Sequence, residues 1–264
     1  MSHFLNGNSQ IALTNTSKPS PPTITLKTND GYTHDPQLTS ELLAEAFATS
    51  SSNHNYSKEF LKVKNTEEAK TIDISSDSLE DYNSPLTLQE LQFVLSKYPK
   101  NIAPGPDNIP IALIRNLPED MIIKLLHIYN KIWLENCIPC IWLTAIVVPI
   151  LKPNKEPHST SSFRPIALTC GMCKILEKMI ARRLLWKLRQ LDIISSVQCG
   201  FMQGHSTLSH LTDLHQKIRL AFERKQYLIS IFFDIEKAYD TAWRRGIINK
   251  LMEAGLRGHL VQHK

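Results

Sequence analysis

Residues 227–234, YLISIFFD, constrain the fold more than any other stretch of this chain. The run is apolar and rich in β-branched and aromatic residues, broken only by Ser230, and it ends on Asp234. A strand with no polar face has no side to give to water, so the pattern predicts a central strand, paired at both edges. Its flanks are helical in period. Thr207–Glu223 precedes it, and TAWRRGIINKLMEAG, 241–255, follows it with Gly255 as the stop. The chain is therefore expected to mix helices with a small sheet, an α+β class.

The rest of the chain falls into two zones, a lead-in over 1–84 and a denser domain over 85–264. Residues 1–35 are rich in Ser, Thr, Asn and Pro, a composition too polar to build a core, and predict disorder. One short helix is expected near 38–50, capped by Ser40 with Leu42, Leu43 and Phe47 on one side; 51–84 looks like a polar linker. In the denser zone, Thr87 and Glu90 form a capping-box pair for a helix through Tyr98. The prolines and glycine of 101–110 exclude helix or central strand. A helix over 118–136 should bury Met121, Leu125, Ile128 and Ile132. TAIVVPILKP, 144–153, is a strand that Pro149 confines to an edge or a bulge, and 162–168 is a second short strand.

A long helix follows over 171–190, with Leu176, Ile180, Leu184 and Leu188 as its apolar stripe. Lys174, Lys178, Arg182 and Arg189 gather on another side. Residues 174–190 hold six basic residues and one acid, an excess equal to the +5 of the whole chain. Such a face suits either solvent or a phosphate backbone. The first twenty residues lack the basic and apolar regions of a secretory signal, and the five cysteines are an odd number. Both features imply a reducing, intracellular setting, with nucleus and cytoplasm equally suitable. The longest apolar run, 141–151, is too short to cross a bilayer, so no membrane partner is expected.

Four candidate sites carry chemistry. Cys137, Cys140, Cys170 and Cys173 form two CxxC pairs, but 29 residues separate them and no glycine knuckle follows either, which favours buried thiols over zinc. Lys152, Lys155 and Arg164 flank prolines in loops and could fork a phosphate or simply face water. The loop QCGFMQGHST, 198–207, has two glycines that permit a close backbone approach, or a plain turn. In FFDIEKAYD, 232–240, Asp234 ends the strand and could ligate Mg²⁺ or open a charged turn, while Asp240 could cap the next helix.

Taken together and in order, these segments resemble the reverse transcriptases of non-LTR (LINE-type, jockey-like) retrotransposons, over roughly 85–258. KNIAPGPDNIP, IPCIWLTAIVVPILKPNKEP, SSFRPIALTCGMCKILEKMIARRL, QCGFMQGHST and FDIEKAYD are similar to five successive family motifs. The resemblance implies a right-hand polymerase, here fingers and the first part of the palm. It implies RNA template, DNA primer and dNTP as partners and two Mg²⁺ ions as cofactors. Asp234 would be the first catalytic carboxylate and Ile235 a backbone metal ligand. Tyr239 would pack under the nucleotide sugar, Lys152 and Arg164 would hold the triphosphate, and Gln198, Gly200 and Phe201 would line the nucleotide and template. The cations Lys174, Lys178, Arg182 and Arg189 would meet nucleic acid.

His205 and Met202 depart from the family, which usually has Arg at both positions. The second acidic motif, aromatic-x-Asp-Asp, is expected beyond residue 264. The fragment alone is therefore expected to be inactive, the alternative being a non-catalytic RNA-binding remnant of a mobile element. Maturase-like and telomerase-like enzymes fit the APGPD and RPIAL segments less well. A copy without a stable fold would expose sheet edge.

Overall fold

The computed structural model describes residues 24–75, 80–99 and 102–262, so most of the expected disordered lead-in lies outside the described residues. The chain divides into two units. One is built from residues up to Leu184 together with Tyr239 onward, and the other from Leu185–Ala238.

The first unit opens with a hairpin, β1 (Leu26–Thr28) and β2 (Gly31–Thr33), followed by α1 (Pro36–Ser50). The cap of α1 is Asp35, not Ser40: its carboxylate accepts from Leu38 N–H at 2.8 Å, and Pro36 supplies the pre-set backbone angle of a first helical turn. Leu43 is buried and joins Leu26 and Phe163 in a small apolar cluster, with Leu42 and Phe47 at its margin.

The stretch expected as a linker instead holds α2 (Lys58–Glu68), capped by Ser57, whose hydroxyl accepts from Phe60 N–H at 3.1 Å. The helix buries no residue completely. It is anchored by aromatic contact: Tyr56 and Phe60 have ring centroids 4.9 Å apart, and Phe60 meets Trp243 edge-on at 5.5 Å. Tyr56 donates to the Thr241 carbonyl at 3.0 Å, and Trp243 Nε1 donates to Glu68 at 3.0 Å.

The main core lies among α3 (Leu88–Lys97), α4 (Ile111–Arg115), α5 (Glu119–Glu135) and the first half of α6 (Gly171–Gln190). The Thr87–Glu90 capping box forms as expected. On α5 the buried stripe is Ile122, Leu125, Tyr129, Ile132 and Trp133, while Met121 and Ile128 are exposed. The expected stripe holds at Leu125 and Ile132, while Ile122 and Tyr129 take the buried places expected for Met121 and Ile128. The two largest side chains, Tyr129 and Trp133, set the rotation by burying the most area. Both reach polar partners, Tyr129 O–H at the Met172 carbonyl (2.8 Å) and Trp133 Nε1 at the Asn83 carbonyl (3.3 Å).

Arg183 is buried at the centre of this packing. It donates to both Glu90 oxygens at 2.6 and 2.7 Å and to the carbonyls of Ser84 and Pro85. Burial pushes the Glu90 carboxyl upward, but the hydrogen bonds from Arg183 and Thr87 outweigh it, and its pKa lies below the usual value.

The strands β3 (Ala145–Leu151) and β4 (Phe163–Thr169) form one antiparallel pair, with Pro149 opposite Pro165. Two residues without an N–H can face each other only at a non-hydrogen-bonded pair, so both prolines are accommodated without breaking the ladder. α8 (Arg244–Glu253) and α9 (His259–Gln262) complete the unit, and Gly255 takes φ +84° as the helix stop. Asp240 does not cap α8; the helix starts at Arg244, with Trp243 in the cap position.

The second unit contains the end of α6, a loop over 191–206, and α7 (Thr207–Glu223). No residue of 185–238 is buried. The expected central strand is absent: 226–235 has no strand, and Tyr227, Ile229, Ile231, Phe232 and Phe233 are exposed. A central strand needs a partner at each edge. Among the described residues the only sheets are the two hairpins β1–β2 and β3–β4. No helix among the described residues is long and apolar enough to cross a membrane.

Candidate active site

The hairpin β3–β4 positions the first pair of candidates. Ile150 faces Arg164, and the pairing extends one step past the strand, Lys152 N–H donating to the Ser162 carbonyl at 2.8 Å. Strand alternation then puts Lys152 and Arg164 on the same face, as diagonal neighbours roughly 7–8 Å apart. Lys152 Nζ is steadied by the Ser161 carbonyl at 2.8 Å, and Arg164 is exposed. Neither makes an ion pair with a carboxylate among the described residues. Two cations on one rigid hairpin face can receive a polyanion.

The remaining candidates lie elsewhere along the chain. Gln198, Gly200 and Phe201 occupy tight turns of the 191–206 loop, where Gln198 Nε2 donates to the Gly200 carbonyl at 3.4 Å. Phe201 has φ +60° and is 88% exposed. A Cβ added at Gly200 or Gly204 would meet nothing within 4 Å, so neither glycine is needed here for close approach; Gly204 is needed for its φ of +84°. Met202, at a position where the family usually has Arg, takes Arg189 Nη2 on its sulfur at 3.5 Å. Asp234, Ile235 and Tyr239 are all exposed. Among the described residues no three His, Cys, Asp or Glu gather into a group that could hold a metal ion. Asp234 alone does not make a magnesium site, and the residues present do not fit one.

The cysteines divide by pair. Cys137 and Cys140 are exposed, and Cys170 and Cys173 are buried at the start of α6. The Cys170 thiol donates to Asp107 at 2.7 Å, and burial, with Asp107 beside it, pushes its pKa up. Burial pushes Cys173 up to about 12, with Glu177 adding to it. Asp107 thus ties the APGPD loop to α6. Gly105 makes the tie possible: a Cβ there would sit 2.5 Å from backbone atoms of Thr169 and Cys170. The loop was legible as turn-rich, but only the fold reveals what its glycine touches.

On α6, Lys174 and Lys178 are half-buried, and Arg182 and Arg189 are exposed. Lys178 Nζ stands 4.3 Å over the Tyr98 ring, and the Arg182 guanidinium 3.6 Å over Phe93. The α3 aromatics escaped sequence reasoning. Their signal was Phe93 placed on the polar side of an otherwise regular amphipathic helix.

Residues 150–264 match the family model described as reverse transcriptase (RNA-dependent DNA polymerase). The particular kin are insect mobile elements. The chain is 35% identical over 167 residues to a probable RNA-directed DNA polymerase from transposon BS of Drosophila melanogaster, covering 63% of this chain and 18% of that protein. It is 34% identical to the RNA-directed DNA polymerase from mobile element jockey of Drosophila funebris, over 63% of this chain and 18% of the relative. A probable RNA-directed DNA polymerase from transposon X-element of Drosophila melanogaster is 31% identical, over 64% and 19%. By these comparisons the chain is similar to reverse transcriptases of jockey-like mobile elements, and it spans under a fifth of the length of these relatives.

Proposed function

We propose that this chain supplies the fingers and the opening part of the palm of an RNA-directed DNA polymerase, a right-hand enzyme using an RNA template, a DNA primer and dNTPs. The observation that carries this reading is the family match over 150–264, which contains the hairpin face bearing Lys152 and Arg164. On it, Lys152 and Arg164 neutralise the triphosphate of the incoming nucleotide: Arg gives a planar fork of donors and Lys a point charge. Gln198, Gly200 and Phe201 line the nucleotide and template. Tyr239, a rigid aromatic, packs under the sugar and rejects a 2′-hydroxyl by bulk.

Asp234 is the first catalytic carboxylate. Asp234 and the Ile235 carbonyl would be only part of a magnesium site, one that the described residues do not complete; in such polymerases the ion steadies phosphoryl charge. No Asp-Asp pair follows Asp234 within the 264 residues. The 264-residue chain alone is therefore expected to bind triphosphate without extending a primer.

Binding of a fluorescent dATP analogue, followed by anisotropy, tests the cationic face. The pair K152A/R164A should lose at least about tenfold in affinity, since each charge-assisted contact contributes roughly 1.5–3 kcal/mol. Unchanged binding in that variant would overturn the assignment. Template-dependent extension by the unaltered chain, with magnesium and all four dNTPs, would overturn the expected inactivity.

A further inference from the structure

The segment after α7 is exposed and makes no backbone pair. Lys225 takes φ +53° and Gln226 N–H donates to the Ala221 carbonyl at 2.8 Å, which closes the helix. From Tyr227 to Ile235 no backbone N–H or C=O has a backbone partner among the described residues. Tyr227, Ile229, Ile231, Phe232 and Phe233 are 72–100% exposed. Residues 227–233 contain no charge, no proline and no glycine, the composition of a segment that pairs with its own kind. The three aromatics alone carry roughly 450–750 Å² of surface, close to what one partner gives to a standard interface.

Around Ser230 the residue classes read much the same in both directions. Arg224 and Lys225 precede the run, and Asp234 and Glu236 follow it. Parallel pairing of two copies would stack like charges at each end, whereas antiparallel pairing sets the basic end of one copy against the acidic end of the other. The antiparallel register with the most overlap puts Ser230 opposite Ser230, Ile229 opposite Ile231, Leu228 opposite Phe232, Tyr227 opposite Phe233 and Gln226 opposite Asp234. Strand alternation then gathers Tyr227, Ile229, Ile231 and Phe233 of both copies on one face, leaving Leu228 and Phe232 among Gln226, Ser230 and Asp234 on the other. A slip of one residue would mix the two sets.

We propose that residues 226–234 are a self-association edge, to which a second copy of this chain adds antiparallel about a two-fold axis at Ser230. A two-fold pairing is isologous, so each contact is made twice. A bare two-stranded ribbon is marginal in water, and a helix packed on one face makes it stable. α7 supplies that helix: Leu211, Ile218 and Phe222 lie at helical spacing and are exposed. The two-fold axis stands perpendicular to the ribbon, so both copies of α7 reach the same face, the one bearing Tyr227, Ile229, Ile231 and Phe233. The association needs neither a nucleotide nor the Lys152–Arg164 face.

Sedimentation of the 264-residue chain over a concentration series should show a monomer–dimer equilibrium. Two double variants fix the register, since Ile229 of one copy faces Ile231 of the other. I229K/I231K sets like charges opposite each other at both places, and I229K/I231E sets opposite ones. The first should dimerise at least about tenfold more weakly than the second. Both variants put two charges on an exposed segment, so urea melts of the first unit should be unchanged in each. Ser230→Cys, in a chain with Cys137, Cys140 and Cys199 replaced by serine, should crosslink to itself under copper–phenanthroline oxidation. Gln226→Cys in the same background should not, because the two copies of that position lie roughly 26 Å apart along the ribbon. A chain that stays monomeric across the series would overturn the proposal. Equal dimerisation of the two double variants, or crosslinking of Q226C as fast as S230C, would overturn the antiparallel register. Growth beyond a dimer would overturn the closed two-fold pairing.

Discussion

Replacing Glu90 by glutamine isolates the buried ion pair at the heart of the first unit. Glutamine keeps the capping-box acceptor for the Thr87 N–H, so the helix start is preserved and only the charge is lost. Arg183 is then left 9% exposed, with the Ser84 and Pro85 carbonyls as its remaining strong partners. Breaking a buried pair from one side costs about 3–5 kcal/mol. The carboxylate itself is 30% exposed, so the lower end applies, and about 3 kcal/mol is expected for E90Q.

Urea melts read by tryptophan fluorescence suit the measurement, since among the four tryptophans Trp133 is buried with the Arg183 guanidinium 5.7 Å from its ring centre. A cycle with Arg183→Met should show strong coupling, about 1.5 kcal/mol or more, because the double variant removes both charges together. The pH dependence has a definite sign. The Glu90 carboxyl is held below its unfolded value, so its contribution is full above that value, about pH 4.3, and is lost as pH falls through the lower folded value. E90Q should lack that part of the acid loss. A coupling below about 0.5 kcal/mol, or an identical acid profile in E90Q, would refute the reasoning.

Gly105→Ala should destabilise the first unit by about 1–3 kcal/mol in the same melts, whereas Gly200→Ala should change stability by less than about 0.5 kcal/mol, since only the first Cβ meets backbone. Thiol titration with a disulfide reagent at pH 8 should label Cys137 and Cys140 rapidly and Cys170 and Cys173 only after unfolding. Tyr56→Phe should lower stability by about 1 kcal/mol by leaving the half-buried Thr241 carbonyl without its hydroxyl donor; equal melts for both chains would remove that contact from the account.

Local signals were legible where the chain supplies both partners nearby. The Thr87–Glu90 box, the span of α6 and the Gly255 stop depend on residues within a few positions of each other, and all three appear. Asp35 was passed over for Ser40 because both are good caps and only the proline at the first turn separates them. α2 was missed because its polar sequence carries no stripe; it is held by Trp243, far along the chain. The strand expected at 227–234 failed for the same reason in reverse, since its pattern is real but pairing depends on strands that a local pattern does not contain. At the candidate site, the cations Lys152 and Arg164 were legible as residues, but their shared face follows from the register around Pro149 and Pro165. The rings beneath Lys178 and Arg182 come from another helix and leave no trace in the spacing of α6.

The first unit is closed by its two ends. Tyr56, Glu68 and Asn83 on one stretch hold Thr241, Trp243 and Leu260 on the other, and the 185–238 unit lies between those stretches in sequence. Such contacts have very high contact order, and their loop-closure cost slows folding of the unit. They also make the intervening segment dispensable for cohesion. A backbone nick at the exposed Lys217 or Arg219 would cut the polypeptide in two and leave the halves joined as one noncovalent particle, each completing the other's core.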